Sequence, residues 1–193
     1  MSLLETIGQS LTPEVVDQIG KQLGVDTPTA ERGIEIGVPM LIAALSRNTQ
    51  SPEGAAELTN ALEKDHSGSI LENIIDLVGN YQQGDGNGIL KHVLGDKREK
   101  VEGAIGDNAG LDAGALLQIL APIVLGALGS QQRSEGLNPQ DVAEVLEQST
   151  EEIKQKDENQ VMEIVTTLLD SNKDGSIVDE VLGMIGRFFN RGK

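Results

Sequence analysis

Residues 18–46 read QIGKQLGVDTPTAERGIEIGVPMLIAALS, and the pattern of this stretch indicates the fold class. Its first part carries Ile19 and Leu23 at helical spacing and ends at Gly24, a residue type that commonly stops a helix. Thr27-Pro28 follows, and a hydroxyl residue before proline is typical of a helix start. Pro39 lies inside a long apolar run, where proline removes a hydrogen bond and kinks a helix. The stretch predicts two helices joined by a short corner.

Similar signals divide the rest of the chain into helices. Thr12-Pro13, Ser51-Pro52 and Asn138-Pro139 each place a capping residue before proline. Further helices are predicted to start near other residues that can cap: Ser2, Ser69, Asp96, Asp112, Ser149 and Ser176. Aromatic residues make up only 2% of the chain, whereas long sheets usually contain more of them. The sequence therefore predicts an all-α fold, a multihelical array.

Segments of the first half return in the same order in the second half. The matched pairs are IGKQLGVD with IGDNAGLD, GVPMLIAALS with LAPIVLGALG, SPEGAAEL with NPQDVAEV, and GSILENIIDLVG with GSIVDEVLGMIG. In the apolar pair, LAPIVLGALG carries Pro122 at the position where GVPMLIAALS carries Pro39. This pattern predicts two diverged copies of one helical unit, residues 1–82 and 89–193. A glycine-rich linker, residues 83–88, is predicted between them.

The stretch from residue 18 to 46 resembles the YidB-like family of bacterial proteins of unknown function. The stretch from residue 88 to 129, GILKHVLGDKREKVEGAIGDNAGLDAGALLQILAPIVLGALG, is similar to the same family. The resemblance implies an array of short helices in both halves of the chain. It implies no activity that can be assigned to particular residues.

Composition and charge disfavour several classes of partner. The net charge of -16 repels the phosphates of nucleic acids and of anionic membrane surfaces. The chain has no cysteine, so it has neither a disulfide nor a thiolate nucleophile. The N-terminus, MSLLETIGQS, lacks a secretory signal pattern, and the most apolar run, residues 115–128, is too short to span a membrane. We expect a cytoplasmic protein without a membrane span, in which that run is a buried core helix.

Residues 170–180, DSNKDGSIVDE, resemble the start of a calcium-binding loop. Asp170, Asn172 and Asp174 would supply oxygen ligands at positions one, three and five, and Ser176 would offer its backbone carbonyl. Gly175 would make the sharp turn at position six.

The calcium pattern lacks its last ligand, because Val181 stands where a bidentate glutamate belongs. Asp179 or Glu180 could close the site if the exit helix started differently. The alternative is a turn in which Ser176 caps the last helix. The matching stretch of the first half, residues 63–73, keeps the Gly-Ser-Ile start but not the second aspartate, which favours the capping role.

A helix-turn-helix that reads DNA is a second candidate, formed by Ile19 to Gly24 and by Thr27 to Ile34. Its second helix carries Glu31 and only one basic residue, Arg32, whereas DNA contact requires several cations. A packing corner between two helices is the better interpretation.

The remaining polar residues give no catalytic pattern. His66 and His92 lack partners at metal-ligand spacing, and GDGNG, residues 84–88, lacks the lysine of a phosphate-binding loop. The C-terminal segment GRFFNRGK, residues 186–193, is basic and holds the only two phenylalanines. These aromatic residues either dock onto a partner or pack inward from a last helix.

The sequence therefore favours a non-enzymatic interaction or scaffold protein with an unknown protein partner, and self-association is open. A calcium-binding module through residues 170–180 is the alternative, and a DNA-binding protein is the third hypothesis.

Overall fold

The computed structural model describes residues 1–65 and 69–156, which are helical and contain no strand. The described helices are α1 (Leu3–Ser10), α2 (Pro13–Leu23), α3 (Thr27–Asn48), α4 (Pro52–Asp65), α5 (Ile74–Gly79), α6 (Gly86–Leu94), α7 (Arg98–Ala109), α8 (Ala113–Glu135) and α9 (Pro139–Lys156). Short 3-10 turns cover Ser69–Asn73, Tyr81–Gln83 and Gly95–Lys97. The all-α prediction is confirmed over these residues.

The first corner joins α2 to α3. Gly24 ends α2 in the left-handed conformation (φ 71°, ψ 28°), where a side chain would be strained. The carboxylate of Asp26 accepts a hydrogen bond from the backbone N–H of Thr29 at 3.0 Å and so caps α3. The predicted cap at Thr27 was wrong by one residue, because Asp26 has the extended backbone of an N-cap and Thr27 is already helical.

The second corner joins α7 to α8 with the same devices. Gly110 is left-handed (φ 72°, ψ 36°), and the Asp112 carboxylate accepts from the Ala115 N–H at 3.0 Å. Each corner leads into a long helix with an internal proline, but the prolines occupy different places. Pro39 is the thirteenth residue of α3, whereas Pro122 is the tenth residue of α8.

The core is centred on α3 and α8, which pack against each other across a seam of small and large side chains. Gly33 and Gly37 of α3 face Leu116 and Leu120 of α8, and a Cβ at Gly33 would lie 2.8 Å from a Leu116 methyl group. A side chain at Gly33 would therefore force the leucine side chains of this seam to shift. α3 also packs against α6, α7 and α9, so the core runs through both halves of the described chain.

α8 is long and apolar enough to cross a membrane, with a mean hydropathy of 1.8 over its most apolar stretch, of which 83% is buried. The apolar run from residue 115 to 128 thus lies in a longer helix than its sequence suggested. Burial places it as a core helix of this fold, as expected. The absence of a membrane span stays a prediction.

Other predicted helix starts were partly wrong. Ser149 starts no helix, because its hydroxyl donates to the Val145 carbonyl at 2.7 Å inside the continuous α9. Ser69 and Asp96 lie in 3-10 turns, and the α-helices follow at Ile74 and Arg98. The start near Ser176 lies outside the described residues.

The predicted glycine-rich linker, residues 83–88, is helical in its second half, because α6 begins at Gly86. Sequence reasoning missed this helix. Its apolar residues Ile89, Leu90, Val93 and Leu94 have the spacing of one buried helix face, and all four are buried. The two-domain division stays a prediction.

Candidate binding groove

A groove of about 580 Å³ lies between α4 and α6. Its walls are two helix faces with matching spacing, Gly54, Glu57, Leu58 and Ala61 from α4, and Ile89, His92 and Val93 from α6, with Asp85 just before α6. Its floor is made by Leu45 and Asn48 of α3 and Leu125 of α8. We call this site the α4–α6 groove.

The groove is open because its two walls are held by other helices. Both α4 and α6 pack against α8, and α4 also packs against α9. Within the part of the chain that the structure describes, α4 and α6 make few contacts with each other. Two helices fixed side by side on one core helix, but not packed together, leave room for a third element between them.

Asn48, at the last turn of α3, fixes the positions of both walls. Its side-chain Nδ2 donates hydrogen bonds to the backbone carbonyls of His92, at 3.4 Å, and Val93, at 3.0 Å, near the end of α6. The backbone carbonyl oxygen of Asn48 lies so close to Gly54 that a Cβ on Gly54 would collide with it. One residue therefore holds the beginning of α4 and the end of α6 at the same end of the groove.

Gly86 positions the other end of α6. Pro122 has no N–H, so it cannot donate to the Gln118 carbonyl four residues earlier in α8. Gly86 packs directly over this carbonyl, and a Cβ on Gly86 would collide with the oxygen and lie 3.0 Å from the Gln118 Cα. The proline inside α8 and the glycine at the start of α6 thus form one close contact, which sets Asp85 at the rim.

The groove combines an apolar floor with a negative rim. Leu45, Leu125, Ile89 and Val93 are buried, whereas Glu57, Asp85 and His92 are exposed residues. The lining residues that the structure describes include no lysine or arginine. Such a site suits a ligand with apolar side chains on one face and positive charge beside them.

The calcium-binding candidates Asp170, Asn172, Asp174, Ser176, Asp179 and Glu180 lie outside the described residues. The calcium prediction therefore stays untested. In the matching stretch of the first half, Glu63 lies on α4, and its carboxylate accepts a hydrogen bond from the Gln132 side chain at 3.4 Å. Among residues 1–65 and 69–156, no cluster of three His, Cys, Asp or Glu side chains could hold a metal ion.

The helix-turn-helix candidate has the geometry of a packing corner. Ala30 and Gly33, in the first turns of α3, are buried, and Gly33 faces Leu111 and Leu116 of the second corner. Glu31 and Arg32 are exposed on the other face. The buried face of the candidate recognition helix is thus used inside the fold, and its exposed face has mixed charge.

The two histidines have separate outcomes. His66 lies outside the described residues, and His92 is on the rim of the α4–α6 groove. Sequence reasoning missed the groove, because it depends on which helices do not pack together. The helical spacing of Glu57, Leu58 and Ala61 on α4 was a visible signal of one of its walls.

A comparison with protein families finds a match to a family model described as a bacterial protein of unknown function (DUF937), over residues 5–131. The match is one continuous stretch that covers more than half of the 193 residues and runs from α1 into α8. No curated protein and no solved structure matches the chain. The YidB-like name and separate membership of each half stay predictions.

Proposed function

Starting from the fact that the chain belongs to this bacterial family of unknown function, we propose that it is a non-enzymatic interaction protein. Its binding site in this proposal is the α4–α6 groove, and its partner is a protein segment that forms a cationic amphipathic helix. The observation that carries the proposal is the open space between the facing sides of α4 and α6, over the buried side chains of Leu45 and Leu125. A helix that inserts its apolar side chains into a groove is a common mode of peptide recognition.

The charge of the partner follows from the rim of the groove. Glu57 and Asp85 are acidic residues, and the whole chain carries a net charge of -16. An acidic partner would be repelled, whereas lysine or arginine side chains would be attracted during the approach. The apolar floor would then provide most of the affinity, since exposed ion pairs contribute little.

The test uses a labelled synthetic helix of leucine and lysine, with its hydrophobic face as anchor, in a fluorescence anisotropy titration. We expect Ala61→Arg to weaken binding of this probe at least tenfold. Ala61 lines the groove, so a long cationic side chain there would fill the space and oppose the negative charge of the rim. The matched control is Asn60→Arg, which adds the same charge on an exposed position of α4 next to the groove.

The controls separate groove binding from general attraction to an acidic protein. A leucine and glutamate helix should not bind, and Asn60→Arg should bind the basic probe as the unchanged chain does. Equal affinities for Ala61→Arg and Asn60→Arg would refute the groove as the binding site.

Calcium binding through Asp170, Asn172 and Asp174 is the second candidate function, and it is carried by the ligand spacing of the sequence alone. A thermal melt with calcium and with chelator tests it. Calcium should raise the melting temperature of the unchanged chain, and Asp174→Ala should abolish this rise. An identical melt in both conditions would leave residues 170–180 as a turn before a helix cap.

We also propose that the chain arose by internal duplication and that the protein is cytoplasmic. The matching glycine and aspartate conformations at the two corners support duplication. The different places of Pro39 and Pro122 require a shift of three residues between the copies.

A further inference from the structure

We infer that the groove between α4 and α6 is occupied by the C-terminal segment of the same chain, GRFFNRGK, residues 186–193. This inference rests on the proposed function, because it names the occupant of the same site. The segment would act as an internal competitor that a protein partner must displace.

The charge of the segment is opposite to that of the groove. Arg187, Arg191 and Lys193 give it three cations, and its eight residues contain no acidic residue. The rim presents Glu57 and Asp85, and the described lining residues include no lysine or arginine. Within a chain of net charge -16, this segment is the one whose charge best suits the rim.

The apolar side chains of the segment are also suited to the floor. Phe188 and Phe189 are the only phenylalanines in the chain. A phenylalanine side chain has roughly 150–250 Å² of surface to bury. The floor offers Leu45 and Leu125, and the α6 wall offers Val93, around a space of about 580 Å³. Aromatic anchors between cations are a common composition of binding hot spots.

The length of the chain permits this contact. The segment is connected to α9 through residues 157–185, which is 29 residues. A stretch of 29 residues spans about 44 Å as a continuous helix and up to about 100 Å when it is fully extended. α9 packs against α4, which forms one wall of the groove. The groove is therefore within reach of the segment from the same chain.

A tethered segment has a large advantage over a free partner. Because it belongs to the same chain, its binding is intramolecular, and its effective concentration at the groove does not fall when the protein is diluted. A free partner at a lower concentration displaces the segment only if its affinity exceeds that of the segment by at least the ratio of the two concentrations. The apparent affinity for any external helix should thus be lower than the intrinsic affinity of the groove.

The first test measures binding of the labelled leucine and lysine helix to the full chain and to the full chain with Phe188→Ala and Phe189→Ala together. We expect at least tenfold tighter binding to the double variant, because its segment loses both apolar anchors. The free peptide GRFFNRGK should then displace the labelled helix from the double variant. Equal affinity for the two proteins would overturn the inference.

A second test does not depend on the probe helix. The chain has no cysteine, so Asn190→Cys introduces a single thiol inside the segment of the full chain. Its reaction rate with a thiol reagent should rise several-fold when Ala61→Arg blocks the groove, and it should stay unchanged with Asn60→Arg. An equal rate in all three proteins would show that the segment is not held in the groove.

The outcomes separate this inference from the proposed function. Suppose that the probe helix binds the unchanged chain and the double phenylalanine variant equally, and that Ala61→Arg still weakens its binding. The groove then binds helices, but the segment is not its occupant. If Ala61→Arg has no effect on the probe, the groove itself is refuted. If the thiol becomes reactive on dilution as a dimer dissociates, the segment occupies a second copy, which contradicts the inference of binding within one chain.

Discussion

The two corners of the molecule, residues 19–26 and 105–112, have the same backbone turn but different packing. Gly24 and Gly110 differ by 1° in φ, and the two capping aspartates accept hydrogen bonds of the same length. At the first corner, however, a Cβ on Gly20 would lie 3.1 Å from the Val25 carbonyl oxygen. At the second, a Cβ on Gly106 would lie 3.5 Å from the Leu111 carbonyl oxygen. Matching local sequence fixes a turn, and the surrounding helices decide how tightly it is packed.

The long helices after the two corners differ in the same way. α3 and α8 have 22 and 23 residues, and each contains one proline. Pro122 removes the donor to a carbonyl that Gly86 covers, whereas Pro39 removes the donor to the carbonyl of Glu35, an exposed residue. The proline in α8 therefore takes part in positioning another helix, and the one in α3 has no described counterpart of that kind.

We call α2 with α3, and α7 with α8, the two corner units. The largest expected effect concerns the seam between α3 and α8, which joins these units. Leu116 of α8 is fully buried and lies against Gly33 and Gly37 of α3. We expect Leu116→Ala to lower the free energy of unfolding by about 2–5 kcal/mol, because it leaves a cavity between the two central helices. Leu23→Ala, at a partly exposed position at the end of α2, should cost much less.

Chemical denaturation followed by circular dichroism and by hydrogen exchange measures this difference. If the two units share one core, Leu116→Ala moves a single transition that both methods report. Two separate transitions, of which only one moves, would show that the corner units fold independently.

How much of this fold the sequence predicts depends on whether a feature is local. The helix starts at Pro13, Pro52 and Pro139 and the stop at Gly24 were predicted, because a cap or a left-handed glycine needs only its neighbours. The helix start predicted at Ser149 was wrong, because a serine can donate a hydrogen bond to a carbonyl of its own helix as well as cap a new one.

The candidate site was not predictable in the same way. Asn48 reaches His92 and Val93, which lie more than 40 residues further along the chain. The collision of a Gly86 side chain with the Gln118 carbonyl is equally non-local. A groove is defined by helices that fail to pack together, and no pattern within one helix records that.

The next effect tests the comparison of the corners directly, with the same substitution at matching positions. Gly106→Ala should stabilise the protein by about 0.5–1 kcal/mol, because alanine is a better helix former and its Cβ meets only an ordinary contact. Gly20→Ala should lose most or all of this gain, because its Cβ would press against the Val25 carbonyl at 3.1 Å. Thermal and urea unfolding of both variants measures the difference. An equal gain at both positions would show that the first corner opens without cost.

The smallest effect is a pH dependence at the first corner. The hydrogen bonds from the Thr29 side chain and backbone to the carboxylate hold the pKa of Asp26 below its ordinary value of 3.8. Because the folded state has the lower pKa, the cap contributes stability above about pH 4, and this contribution is lost as the pH falls through the folded pKa. The effect is small because Asp26 is exposed and solvent screens its interactions.

The variant Asp26→Asn tests this effect, because it keeps a capping oxygen but cannot titrate. Between pH 5 and pH 2, the range that contains the ordinary carboxyl pKa, its melting temperature should fall less than that of the unchanged chain. If the melting temperatures of the two proteins fall by the same amount over this range, the charge of Asp26 does not contribute to the cap. The amide and the carboxylate would then hold the start of α3 equally well.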